Sequence, residues 1–197
     1  MGMHVSTLLN VPSKGFNYYA YVADPKDQFG KWLNENFHAI AEQIGSNNLI
    51  VRGGSSGSYD QELYEFLSQH CESNLFGILE GLFHESVSLI VSEGALHSTS
   101  GQVYVIPITR EFDVKDSPQN QLATELFKLV ISAISNNELE QRLEQLGAEQ
   151  FELKEKKKNL ILSTLKFVNK YLELKPNLAG VGINLNQVIE DTIKNYK

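Results

Sequence analysis

The chain has 197 residues, a formal net charge of −7, and 42% hydrophobic and 21% charged residues, an ordinary globular composition that excludes a disordered polymer and allows one sizeable core. Charge is unevenly spread: residues 1–136 hold 7 Lys+Arg against 15 Asp+Glu, and residues 137–197 hold 10 against 9. An acidic body repels a phosphate backbone, which excludes nucleic acid as its partner, and a single cysteine, Cys71, excludes an intrachain disulfide or a cysteine-based zinc site.

No stretch approaches the roughly 18 apolar residues of a membrane span, and no basic segment leads into an apolar one as a secretory signal would. With the lone cysteine, this predicts a cytoplasmic protein. Met1-Gly2-Met3-His4-Val5-Ser6 fits the M-G-x-x-x-S acylation pattern; the plainer reading is a natural start at Met3.

The first ten residues carry no strong signal, and Pro12-Ser13-Lys14-Gly15 reads as a turn. Phe16 to Val22 is aromatic-rich and β-prone, a strand. Asp24 as N-cap and Pro25 in the first turn start a helix, whose Phe29, Leu33, Phe37, Ile40 and Ile44 share one face. Trp32 and Ala41 widen that stripe, and Gly45 supplies its left-handed stop. Leu49, Ile50 and Val51 form a short apolar strand. It runs into a Gly/Ser loop, Gly53 to Ser58, which opens into a second helix. Ser58 and Gln61 fit a capping box, and Tyr59, Leu63, Phe66, Leu67 and His70 line the buried side.

Leu75 to Phe83 reads as one or two helical turns weakened by Gly77 and Gly81. Val87 to Val91 and Gln102 to Ile108 are strands joined too closely for a parallel crossover, so they pair antiparallel. Pro107 places the second at an edge or a strand end. Ser117-Pro118 starts a third helix with Leu122, Leu126, Phe127, Val130, Ala133 and Ile134 on its face.

These elements predict an α/β fold, a β-α-β-α-β-β-α mixed sheet over residues 1–136 with a C-terminal helical extension over residues 137–197. The order resembles a thioredoxin-like topology across roughly 16–135. The resemblance lies in element order. The C-x-x-C pair is absent, and no proline precedes the Val87 strand, so redox chemistry is not implied.

In the extension, Asn137 and Glu140 fit a capping box. Leu139, Leu146, Leu153, Leu160 and Phe167 recur every seven residues, but the complementary positions include Gln150, Lys157 and Thr164, and Gly147 interrupts the run. The expectation is a helical hairpin with a long arm from about Glu149 to Leu174, an apolar linker over Leu178 to Leu185, and a last helix. Its seven-residue seam is the candidate surface for a protein partner or a second copy.

Gly53-Gly54-Ser55-Ser56-Gly57 satisfies G-x-S-x-G between a strand and a helix. A hydrolase triad in the order Ser, acid, His would have to end at His97, the last histidine, and too little chain lies before it. The same loop can be read as an anion cradle, with Arg52, Ser55 and Ser56 beside a helix N-terminus. His84-Glu85 and Glu93-x-x-x-His97 lack the helical metal spacing, and no cofactor is predicted. Tyr21 to Asp27, followed by the strands SLIVSEG and YVIPI, resembles TIR-type signalling domains, some of which cleave NAD. That resemblance implies a catalytic glutamate, for which Glu93 is the sole acid near the corresponding position; the helix that should carry it has no room.

Two functional expectations follow. The first is a non-catalytic interaction or regulatory module acting through residues 137–197. The alternative is a small-ligand or nucleotide-acting protein, a TIR-like NAD hydrolase or other hydrolase, using loop 53–58. It requires Arg52, Gly53, Gly54, Ser55, Ser56, Glu93 and His97 to converge around a small anionic ligand.

Overall fold

The structure, a computed structural model, describes residues 1–23, 28–54, 57–70, 86–98, 103–109, 118–145, 149–153 and 160–164. Seven strands form one mixed sheet: β1 (Gly2–Val5), β2 (Tyr18–Ala23), β3 (Asn48–Gly53), β4 (Ser86–Ser92), β5 (Val103–Thr109), β6 (Glu149–Leu153) and β7 (Leu160–Thr164). Their spatial order is β1-β3-β2-β4-β5-β7-β6. Strands β1, β3 and β2 are mutually parallel. Strand β4 runs antiparallel to both β2 and β5. Strand β7 pairs parallel with β5, and β6 pairs antiparallel with β7. Four α-helices accompany the sheet among the described residues: α1 (Gln28–Gln43), α2 (Tyr59–His70), α3 (Pro118–Ser135) and α4 (Leu139–Gln145).

Both faces of β2 to β5 are covered among the described residues, which explains why these strands read as near-continuous apolar runs. Ala20, Val22, Ile50, Leu89, Val91, Tyr104 and Ile106 turn to one face. There they meet Leu33, Phe37 and Ile40 of α1 with Ile44 just after it, Phe127, Val130, Ile131 and Ile134 of α3, and Leu139 and Leu143 of α4. Tyr19, Tyr21, Leu49, Val51, Ile90, Val103 and Val105 turn to the other, against Tyr59, Leu63 and Leu67 of α2. The described members of the apolar stripes expected for α1 and α2, with Phe66 half-buried beside them, thus fall where their spacing predicts; the Phe29 and His70 side chains lie outside the description.

Helix ends follow capping chemistry. Gly45, at φ +83°, stops α1. Helix α3 ends on Asn137 at φ +57°, with Glu138 N donating to Ala133 O at 2.8 Å and Asn137 N to Ile134 O at 3.2 Å. That is a Schellman stop, with asparagine in the left-handed position that glycine usually takes. Asn137 therefore ends α3 rather than starting α4, a correction to the capping box expected there. The box at Ser58 also differs. The Ser58 hydroxyl bonds the Glu62 carboxylate one residue further on, while Gln61 Nε2 donates to Glu65 at 2.8 Å.

The C-terminal part departs most from expectation. Glu149–Leu153 and Leu160–Thr164 are strands, where a long helical arm was expected. Phe151 and Leu153 alternate with polar residues at the period of two that a strand requires, and Leu160, Ile161 and Leu162 form a short apolar run rich enough in β-prone residues for a strand. The outer side of β5 carries backbone groups that need partners, and β7 supplies them from Val103 to Val105. Pro107 lies beyond that pairing, where a residue without an N–H is tolerated. Leu139 and Leu143 of α4 join the core of α1 and α3. Strand β1, which carried no sequence signal, fills the opposite edge.

Candidate functional site

The loop after β3 and the start of α2 was the sequence-based candidate. Gly53 closes β3, and Gly54 follows; Ser55 and Ser56 lie outside the described residues. Two backbone N–H groups of this loop are already engaged. Gly54 N donates to Val5 O and Ser58 N to Ser6 O, both at 2.8 Å. Gly57, at φ +143°, lies so close to the N-terminal segment that a Cβ there would sit 2.2 Å from Ser6 O.

The electrostatics at the start of α2 are those of a helix end that already holds an anion. Asp60 and Glu62 both lie in its first turn, where carboxylates suit the helix dipole. One Glu62 oxygen accepts from the Thr7 hydroxyl and from Leu8 N, each at 2.7 Å; the other accepts from the Ser58 hydroxyl. The Ser58 hydroxyl, with Thr7 and Leu8, holds the Glu62 carboxyl below the usual carboxylate range, against a smaller opposing effect of burial. A second anion brought here would meet two carboxylates.

Arg52 is buried at 7% exposure on the α1 face. Its guanidinium donates to Gly30 O at 3.1 Å and to Asn34 Oδ1, so it fastens β3 to α1. Glu93 and His97 do not join it. Strand β4 is antiparallel to β2, with Ser92 opposite Tyr19, so Glu93 follows at the end of the sheet away from loop 53–58. The intervening six-residue strand spans roughly 17 Å. His97 is exposed in the turn after Leu96, whose N–H donates to the Tyr21 hydroxyl at 3.0 Å on the α2 face. Of the described members of this set, Arg52, Gly53 and Gly54 thus lie at one end of the sheet and Glu93 at the other, with His97 in the turn that follows it.

Glu93 instead belongs to a group that the sequence did not suggest: Tyr18 of β2, Tyr104 of β5 and Glu140 of α4. Burial, followed by the charges of Glu140 and Glu93 and the neighbouring Tyr18, pushes the Tyr104 phenol up to about 12. Burial raises Tyr18 as well, with Glu93 and Glu140 adding to it. Strand register brings these residues together across distant sequence positions.

Asn48 is the other polar residue missed. It is buried at 2% exposure. Its Nδ2 donates to Ile44 O at 3.0 Å and Ile134 O at 3.2 Å, and its Oδ1 accepts from Tyr18 N at 3.2 Å. It binds the ends of α1 and α3 to the start of β2 and carries no chemistry for a substrate.

Of the seven-residue seam, Leu139 is buried in the chain's own core, and Leu153 and Leu160 are cross-strand partners in the β6–β7 pair. Leu146 and Phe167 lie outside the described residues. The three described members therefore do not share one helix face. Among the described residues no group of three His, Cys, Asp or Glu side chains could hold a metal ion, and no helix is long and apolar enough to cross a membrane. Compared with protein-family models, with curated proteins and with solved structures, the chain matches none of them.

Proposed function

We propose that the protein is a non-catalytic interaction or regulatory module whose docking element lies in residues 137–197, working on a protein partner or a second copy. The observation that carries this reading is the internal use of the one site with catalytic or ligand-like sequence character. Arg52 is tied to α1, Gly54 and Ser58 give their N–H groups to Val5 and Ser6, and Glu62 occupies the start of α2. The outermost strand on the C-terminal side, β6, has β7 on one side and no described strand on the other, a geometry suited to strand addition. The thioredoxin-like arrangement of β2 to β5 with α1, α2 and α3 belongs to the same proposal. It is supported by the element order and by the switch from parallel β3–β2 to antiparallel β2–β4–β5 pairing.

Thermal unfolding with nucleotides, NAD, phosphorylated metabolites and divalent metals separates this reading from a ligand-acting protein. A ligand at 100 times its dissociation constant adds about 2.7 kcal/mol. The expected result is no saturable stabilisation by any of them. Saturable stabilisation that disappears in Arg52→Ala or Ser55→Ala would overturn the proposal.

A further inference from the structure

Between β1 and the Pro12–Gly15 turn, residues Ser6–Val11 lie across α2. The start of this segment is held by Gly54 N on Val5 O and Ser58 N on Ser6 O. Its own turn is closed internally, by Asn10 N on Thr7 O at 3.2 Å and Val11 N on Leu8 O at 3.1 Å. Leu8 and Val11 face inward, with Tyr59, Leu63 and Leu67 in the same cluster. Ser6, Leu9 and Asn10 face solvent, with Leu9 at 75% exposure. Its polar hold on α2 converges on the Glu62 carboxylate, which takes the Thr7 hydroxyl and the Leu8 N–H. The chain then leaves through Ser13, Lys14 and Gly15, all exposed, with Gly15 at φ +112°.

We infer that Ser6–Val11 is a strap that opens as a unit while the sheet stays folded, and that the negative charge of Glu62 is its latch. Bonds to a charged acceptor contribute more than neutral ones, so discharging one group weakens two contacts together. The strap and the described loop residues (Val5 to Val11, Gly53, Gly54, Gly57 and Ser58) contain no ionisable side chain. The charged neighbours on α2 itself are Asp60 and Glu65, and Gln61 engages Glu65. No described cation therefore competes for Glu62 or titrates in its place. The three donors lower its ionisation below the ordinary carboxyl value of 4.5. The sign follows: the latch is complete above that value and is lost as pH falls through the lowered one. Opening uncovers the apolar side of α2 at Tyr59 and Leu63.

Amide hydrogen exchange followed by NMR on the full chain tests this. In Glu62→Gln, the Leu8, Asn10 and Val11 amides are expected to exchange about ten-fold faster, the difference between a charged and a neutral acceptor. Amides of the β2–β4 ladder are expected to stay unchanged. In the wild type, exchange corrected for its intrinsic pH dependence is expected to quicken at the strap alone as pH falls below about 4.5, and not in Glu62→Gln. Thr7→Val, which removes one donor and keeps the charge, shifts the same amides by less and serves should the first variant fail to fold. Equal acceleration of strap and ladder would overturn the inference, because Glu62 would then support the whole fold. Unchanged strap amides in both variants would overturn it too.

Discussion

Asn48 engages both amide hydrogens and its carbonyl inside the protein, on groups from α1, α3 and β2. Asn48→Leu keeps the branched shape and orphans the Ile44 carbonyl and the Tyr18 N–H in a buried place, while Ile134 O keeps only the Asn137 N–H. Loss of about 3 kcal/mol of stability is expected, read from denaturant unfolding; a cost below about 1 kcal/mol would mean that water replaces the amide. Tyr104 makes a pH prediction. Its phenol titrates near 12 in the folded protein, against about 10 when unfolded. The native state therefore holds its proton longer, so this stabilisation is complete below about pH 10 and is lost as pH rises toward about pH 12. Glu140→Gln should bring the phenol's ultraviolet titration to lower pH; an unchanged titration would separate the two groups. Neither residue was legible in the sequence. The Asn48 contact to Ile134 spans 86 positions, and the Tyr104–Glu140 relation depends on how α4 settles over the sheet. Gly45 was legible, because a glycine ending an apolar stripe states its purpose locally.

At the scale of elements, α1, α2, α3 and strands β2 to β5 were readable because each carries its own period and stop signals. Strand β1 was not, since four residues of mixed polarity have no period; β3 recruits them as an edge. Gly2 shows how closely that edge packs: a Cβ there would sit 2.4 Å from Ala41 Cβ and 3.1 Å from the Phe37 ring. Gly2→Ala should destabilise by about 1–3 kcal/mol in thermal unfolding, the usual cost of overpacking. An unchanged melting point would mean that β1 does not lie against α1. Strands β6 and β7 were misread for a different reason. Leu139, Leu146, Leu153, Leu160 and Phe167 have a helical period, while Leu153 also ends a short alternating stretch and Leu160 begins a short apolar run. Edge pairing with β5, which local sequence cannot reveal, favours the strand.

Across the whole molecule, a central sheet buried on both faces carries the stability, and the polar residues that looked functional serve it. Arg52, Asn48 and Glu62 each tie separate elements together, and Glu93 lies at the other end of the sheet from loop 53–58. The loop was legible as a strand-to-helix connection, but its partners were not, because Val5, Ser6 and Thr7 approach from a strap with no motif. The docking element proposed above lies in the C-terminal part of the chain, residues 137–197. Light scattering of the full chain across a wide concentration range, with limited proteolysis of the same samples, tests that most directly. The account predicts self-association that protects residues 137–197 as concentration rises and is abolished by removing residues 165–197. A protein that stays monomeric at every concentration, with residues 137–197 resistant to protease throughout, would contradict it and leave that part of the chain a structural component of its own fold.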